Sequence, residues 1–124
     1  MEQKIIDVVY RAARNKNWVR GNTIGQNAFF RRPPDSGHPD TTGLSVDLSL
    51  EAAKIRAERQ YRTNIIIEID VAKLRGYGLR VVPYGDHGNI CDVPFYERAT
   101  MSEALAWADA IIQCCTGIIR DWEV

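Results

Sequence analysis

The feature that most constrains the fold is a continuous apolar run, Ile65-Ile66-Ile67, followed by Glu68-Ile69-Asp70. It is too short for an independent helix and is bounded by turn-forming residues. The run therefore predicts a central β-strand buried on both faces. A chain of 124 residues is long enough to bury about two-thirds of its unfolded surface around such a strand. These properties predict one domain spanning residues 1–124.

Two segments have the pattern of amphipathic helices. Ser49 is a suitable N-cap for the first, in which apolar residues recur at helical spacing, so we expect a helix over about 49–61. The second begins with a capping box formed by Thr100 and Glu103, continues as an apolar stripe and ends near Gly117, a natural C-cap. This pattern predicts a helix over about 101–116.

Further segments have the character of strands. Residues 5–12 are rich in β-branched and aromatic residues and fit a strand, with an N-terminal helix through Arg14 as the alternative. Residues 44–48 alternate as a strand does, and residues 79–82 form another strand that Pro83 stops. Strands outnumber helices and their order is mixed. We therefore expect an α+β domain with a mainly antiparallel sheet and two packed helices.

The composition of the chain indicates which classes of molecule it can bind and in which compartment we expect it. Sixteen basic residues balance sixteen acidic ones, which argues against nucleic acid as a general partner. No secretory signal and no apolar run near the ~20 residues of a membrane span are present. Three cysteines form no disulfide framework and suit a reducing compartment, so we expect a cytoplasmic protein.

A long polar loop over residues 31–43 separates the apolar Ala28-Phe29-Phe30 from the strand at 44–48. It is rich in proline, glycine and aspartate. A loop of this length is uncommon in a small domain and is often functional.

Three side chains are candidates for a site. His87 lies in a polar loop after the strand that Pro83 ends, where an imidazole can act as a base or a hydrogen-bond donor. Arg11 interrupts an apolar strand, so it either faces a cleft, where it would bind a carboxylate or phosphate, or lies on the exposed face. Ser45 offers a hydroxyl from a strand. The alternative for each is an ordinary surface residue.

Taken in order, these pieces resemble a pattern found in small, largely uncharacterised bacterial proteins. The pieces are Tyr10-Arg11, Ala28-Phe29 followed by two arginines, the segment DTTGLSV over 40–46, and His87 after a strand. The resemblance covers roughly residues 8–95 and implies no particular activity.

A more distant resemblance is to the ADP-ribosyltransferase-like fold of NAD-using toxins and RNA 2′-phosphotransferases. It implies a nucleotide-sized cleft, NAD as cofactor and a toxin–antitoxin setting. By this resemblance Tyr10 and Arg11 contact NAD, with Arg11 on a phosphate, Ser45 orients the ribose, and His87 bonds a hydroxyl. NAD-dependent ADP-ribosyl transfer or NAD cleavage is then the expected reaction. The chain lacks the Ser-Thr-Ser triplet and the Gln-x-Glu of that class.

A second class of function stays open, a noncatalytic protein-interaction or immunity module. It rests on aromatic residues that a small domain would have difficulty burying together, namely Trp18, Phe29, Phe30, Tyr96 and Trp122. The partner is then a protein rather than a small nucleotide. A deep pocket containing Arg11 and His87 would favour the first class, and a flat aromatic patch the second. The sequence does not decide whether the chain is an enzyme.

Overall fold

An antiparallel sheet of six strands organises the chain. A computed structural model describes residues 6–29, 44–84, 87–91 and 101–120. The strands run in the order β6-β7-β4-β1-β5-β8, and β2 and β3 pair separately. Their bounds are β1 Val8–Ala12, β2 Val19–Arg20, β3 Thr23–Ile24, β4 Leu44–Asp47, β5 Ile65–Asp70, β6 Arg80–Tyr84, β7 His87–Cys91 and β8 Cys115–Arg120. With the helices below, this is the α+β architecture that the sequence predicts.

The helices are α1 Leu50–Ile55, which continues as a π-helical segment Arg56–Tyr61, then α2 Val71–Gly76 and α3 Met101–Gln113. Ser49 caps α1 by accepting a hydrogen bond from the Ala52 amide at 3.1 Å. The π segment ends at Arg62, whose φ of 55° is left-handed. Helix and π segment together occupy the predicted 49–61. None of the helices in the described ranges is long and apolar enough to cross a membrane.

Both faces of the sheet carry a cluster of buried side chains, but the two clusters are unequal in size. Leu44, Val46, Ile67 and Ile69 lie on the larger core, which packs against α2, α3 and the short segments after β1. We call this side the core face. The opposite side carries a smaller cluster, in which Ala12 and Ile66 pack against Ala53 and Ala57 of the first helix. We call it the α1 face. Ile66 and Ile67 are both fully buried, which confirms the predicted burial of β5 on both faces, and β5 lies inside the sheet between β1 and β8.

Two boundaries differ from the sequence expectations. The helix predicted to reach residue 116 ends at Gln113, and Cys115–Arg120 forms strand β8. Gly117 is therefore a strand residue opposite Glu68, not a helix cap. Tertiary pairing with the Ile-rich β5 outweighs local helix propensity here. Pro83 lies within β6 rather than after it, which is permitted because β6 is the outer strand of this sheet.

Two further findings concern element type. Strand β1 resolves the choice between strand and helix for residues 5–12 in favour of the strand, over Val8–Ala12. Helix α2 has no counterpart among the sequence expectations, because its six residues are too few for a clear helical period. Its N-cap, Asp70, accepts a hydrogen bond from the Lys73 amide at 3.1 Å. The predicted N-cap Thr100 and the loop 31–43 lie outside the described residues.

Candidate functional site

A buried carboxylate holds two cationic or ionisable side chains on the α1 face. Asp47 is 1% exposed and binds Arg56 through both oxygens, with Nε to Oδ2 at 2.9 Å and Nη2 to Oδ1 at 3.2 Å. His87 Nδ1 lies 2.8 Å from the same Oδ1. We call these three residues the Asp47 cluster. Bidentate arginine–carboxylate pairs are strong and fix orientation, so Asp47 preorganises the site.

The hydrogen bond to Asp47 sets the tautomer of His87. An ionised carboxylate only accepts, so Nδ1 carries the proton and Nε2 keeps its lone pair in the neutral ring. Arg56 Nη2 lies 2.8 Å from Nδ1 and 3.0 Å from Nε2. A donor in line with one ring nitrogen would be much farther from the other. The arginine nitrogen therefore lies over the imidazole face and leaves the in-plane lone pair of Nε2 available.

Several contacts orient the Arg56 guanidinium, and its ion pair with Asp47 favours the charged form. The hydrogen bond with Asp47 raises the pKa of the Arg56 guanidinium, while partial burial opposes that rise. Its Nη1 donates to Gln60 Oε1 at 2.9 Å, one π-helical turn further along. Among the described residues, no buried side-chain nitrogen or oxygen lacks a hydrogen-bond partner. The buried polar atoms of the cluster are therefore all paired within the fold.

Sheet register and helix geometry bring the cluster together. Asp47 is directly opposite His87 in the β4–β7 pairing and opposite Tyr10 in the β4–β1 pairing. Arg56 begins the π-helical segment, which crosses above this row of residues. π-helical turns are rare and occur frequently at functional sites. The segment ends at Arg62, which is left-handed with a φ of 55°.

A pocket of about 300 Å³ opens between the helix and β7, lined by Ala52, Ile55, Arg56, Arg59, Gln60 and His87. The His87 side chain is 44% exposed, and Ile55 is 49% exposed. Arg59 is exposed on the π-helical segment. The pocket thus combines an apolar wall, one solvent-facing guanidinium and one imidazole.

Gly88 is required next to His87 because the opposite side of β7 is crowded. A Cβ atom at Gly88 would lie 2.9 Å from Val81 Cγ1 and 3.0 Å from Leu48 Cδ2. We expect Gly88→Ala to lower the free energy of unfolding by about 1–3 kcal/mol, the usual cost of overpacking. Urea denaturation measures this loss.

Gly117→Ala is the matched control for that substitution. Gly117 is also a strand glycine, but nothing lies within 4 Å of a Cβ built there. We expect a neutral or slightly stabilising effect, because glycine weakens a strand interior. Equal losses at both positions would contradict the crowding argument and point to a general cost of replacing strand glycine.

Arg11 does not join the Asp47 cluster. It is opposite Ile67 in register and projects from the core face, whereas His87 lies on the α1 face. Its Nε donates to the Ala28 carbonyl at 2.8 Å, its Nη1 donates to the Ser45 carbonyl, and the guanidinium stacks 5.4 Å from the centre of the Trp18 ring. Arg11 thus joins strands and loops by these contacts, and the predicted cleft of Arg11, Ser45 and His87 does not form.

The other predicted residues, Ser45, Tyr10 and His87, lie together on the α1 face. Ser45 is exposed and, two residues before Asp47, lies on the α1 face, opposite Asn89 in register. Tyr10 is half-buried on the same face beside the helix cluster. His87 is the first residue of β7 and not a loop residue as predicted, because it pairs with Tyr84 in the β6–β7 hairpin. Ser45 and His87 therefore share a face that Arg11 does not.

Neither the aromatic residues nor the thiols form a second site in the described ranges. Phe29 is buried and Trp18 is half-buried beneath Arg11, while Phe30, Tyr96 and Trp122 lie outside the described residues. Burial raises the pKa of Cys114, and raises that of Cys115 to about 12. Thiols held protonated are poor nucleophiles. No group of three or more metal-ligating side chains occurs in the described part of the chain.

Sequence reasoning missed Asp47, Arg56 and Arg59. A usable signal existed for Asp47: it ends an alternating strand two residues after Ser45 and follows the buried Val46, so period-two geometry places it on the face of Ser45. Arg56 and Arg59 give no such signal. Their positions on the helix are those of ordinary solvent-facing charges, and nothing in the local sequence marks the π-helical turn that directs them.

Comparison of the chain with protein-family models, with curated proteins and with solved structures gives no match. Its fold and site therefore define it structurally, as an α+β domain with a small cationic pocket beside a buried carboxylate.

Proposed function

We propose that the domain binds a small nucleotide in the pocket beside the Asp47 cluster, with NAD as the first ligand to test. The observation that carries the proposal is the pairing of an exposed guanidinium, Arg59, with the half-exposed imidazole of His87 at one pocket mouth. The Arg59 guanidinium can bind a phosphate oxygen, and the Nε2 lone pair of His87 can accept a hydrogen bond from a ribose hydroxyl of the same ligand. The apolar wall at Ile55 suits the base or ribose of the same ligand.

The two arginines at the pocket differ in their partners. The carboxylate of Asp47 binds Arg56 and His87, so the positive charge of Arg56 is already paired within the Asp47 cluster. Arg59 has no such carboxylate partner among the described residues and adds positive charge at the pocket. A phosphate would therefore meet Arg59 first, with His87 beside it. A guanidinium is well suited to this contact because it donates several hydrogen bonds in one plane.

The volume of the pocket limits how much of a ligand can lie inside it. About 300 Å³ is at the low end for small-molecule sites. That volume suits a mononucleotide or one half of a dinucleotide. ADP-ribosyl transfer or NAD cleavage is the reaction to assay once binding is measured. Among the expected site residues, His87 is the one that lines this pocket.

We also propose that the domain is cytoplasmic, in keeping with its free thiols at Cys114 and Cys115.

Thermal denaturation and isothermal titration calorimetry with AMP and NAD test the proposal. A ligand that binds only the folded state stabilises it by about 2.7 kcal/mol at a hundredfold excess over its Kd, and we expect a rise in Tm with each nucleotide. Arg59→Gln should weaken AMP binding by about tenfold or more, since a charged hydrogen bond contributes roughly 1.5–3 kcal/mol.

Arg14→Gln is the control for charge, because Arg14 is likewise exposed but follows β1 on a bend away from the pocket. It should leave the AMP affinity unchanged. If millimolar AMP and NAD both fail to shift the Tm, the nucleotide proposal is wrong, and the noncatalytic interaction or immunity module becomes the better hypothesis. If Arg14→Gln weakens binding as much as Arg59→Gln, binding is nonspecific charge attraction.

A further inference from the structure

Asp47 and His87 have the geometry of a carboxylate–imidazole pair that acts as a general base. The carboxylate is 1% exposed, and its Oδ1 lies 2.8 Å from Nδ1 of His87, whose side chain is 44% exposed and lines the pocket. Because Nδ1 points to the buried carboxylate, Nε2 is the nitrogen that a molecule in the pocket can reach. A base that a third group orients in this way is typical of sites that activate a nucleophile.

The charges at the pocket indicate what such a base can act on. Arg56 balances the charge of Asp47, so the Asp47 cluster carries no net charge while the imidazole is neutral. Arg59 adds one positive charge to the lining of the same pocket. A phosphate diester carries a single negative charge, and one planar guanidinium can bind its two unbridged oxygens together. The pocket therefore favours a phosphate diester as the group that reacts.

The volume of the pocket narrows the class of diester. About 300 Å³ suits a mononucleotide, so the diester has to lie within one nucleoside, as it does in a ribonucleoside 2′,3′-cyclic phosphate. Both ribose oxygens of that ligand are esterified and carry no hydrogen, which leaves the Nε2 lone pair of His87 for a water molecule. Strain in the five-membered phosphate ring makes the ribose oxygen a better leaving group than in a linear diester. One general base is then sufficient.

We propose that the domain hydrolyses a ribonucleoside 2′,3′-cyclic phosphate, with His87 as the general base and Asp47 as its positioning residue. This inference rests on the proposed nucleotide function. Arg59 binds the unbridged phosphate oxygens, and the apolar wall at Ile55 contacts the base or ribose. Asp47 holds the imidazole in the required tautomer and stabilises the imidazolium that forms when Nε2 takes a proton.

The reaction adds one water molecule to the ligand. The oxygen of the water bound at Nε2 forms the new bond to phosphorus, and one of its protons passes to His87. The bond from phosphorus to one ribose oxygen breaks, and that oxygen keeps the electron pair and takes a proton from solvent. His87 then returns its proton to solvent. The product is a nucleoside 2′- or 3′-monophosphate, and no further reactant is needed.

Turnover of adenosine 2′,3′-cyclic phosphate, measured by chromatography of the products, tests the proposal. We expect hydrolysis by wild type, and a loss of about 10²–10⁴-fold in kcat for His87→Ala, the usual contribution of a general base. Added imidazole should restore part of that rate, because it can enter the space left by the side chain and accept the proton.

Asp47→Asn tests the positioning role. It should lower kcat about tenfold or more and change KM much less, because a neutral amide neither fixes the tautomer of His87 nor stabilises its imidazolium. Arg14→Gln, at an exposed arginine away from the pocket, should match wild type in both constants. If circular dichroism shows that Asp47→Asn does not fold, His87→Ala with imidazole decides, since it truncates a half-exposed side chain.

The affinity for AMP, measured by calorimetry, separates the two proposals. If AMP binds and the cyclic phosphate is not hydrolysed, the hydrolase inference is overturned while the proposed nucleotide function stands. The same holds if His87→Ala keeps the wild-type rate, or if imidazole restores none of the lost rate, since His87 then serves binding alone. If neither AMP nor the cyclic phosphate binds, both proposals fail.

Discussion

Ile67→Ala is expected to lower the free energy of unfolding by about 3–5 kcal/mol, the upper part of the range for isoleucine-to-alanine changes in cores. Ile67 has no exposed surface. It lies on the core face between Arg11 of β1 and Ile118 of β8. Strands on both sides hold the backbone in place, so the cavity cannot close by local collapse. Denaturation in urea with an unchanged m value measures the loss.

Ile55→Ala is the matched control, the same change at a side chain that is 49% exposed. We expect a change within about 0.5 kcal/mol, typical of surface sites. A loss below about 1 kcal/mol for Ile67→Ala would contradict the placement of β5 in the interior of the sheet, between β1 and β8. Equal losses at both positions would show that the helix around Ile55 is as tightly packed as the strand.

Strand β5 could be predicted from the sequence for a simple physical reason. A run of three isoleucines places apolar side chains on both sides of an extended backbone, and a strand that is covered on both faces is one of the few structures that buries them all. The first helix was also predictable, because Ser49 caps it and its alanines repeat at helical spacing. Strand β8 was not, since Cys115-Thr116-Gly117 continues the helical stripe locally. Only its pairing with β5, some 50 residues earlier in the chain, makes it a strand.

The site was harder to predict than the fold for a similar reason. The Asp47 cluster joins residues from β4, the π-helical segment and β7, and no local spacing connects them. Among its members the sequence pointed to His87 alone, because histidines are few. Arg11 looked equally promising, since a charge within an apolar strand suggests a function. Its charge is instead used inside the fold, on the carbonyl groups of Ala28 and Ser45 and on the Trp18 ring.

Asp47→Ala is the second substitution with a large expected effect, a loss of about 2–3 kcal/mol in the free energy of unfolding. Removing one partner of a buried ion pair costs roughly 3–5 kcal/mol when the remaining charge is fully buried. Here the Arg56 side chain is 23% exposed and His87 is 44% exposed, so water can partly solvate both. Urea denaturation measures the loss, and Asp7→Ala, at an exposed aspartate, should change stability by no more than about 0.5 kcal/mol.

A double-mutant cycle with Arg56→Ala determines whether the loss comes from the pair itself. Each single variant leaves a charged group without its bidentate partner, whereas the double variant removes both. We therefore expect the double variant to be destabilised by at least about 1 kcal/mol less than the sum of the single losses, within the range measured for contacting residues.

The same variants should bind AMP more weakly than wild type, because Asp47 orients both Arg56 and His87 at the pocket. Strictly additive losses would contradict the coupled cluster, and unchanged AMP affinity in Asp47→Ala would show that the ligand does not depend on it.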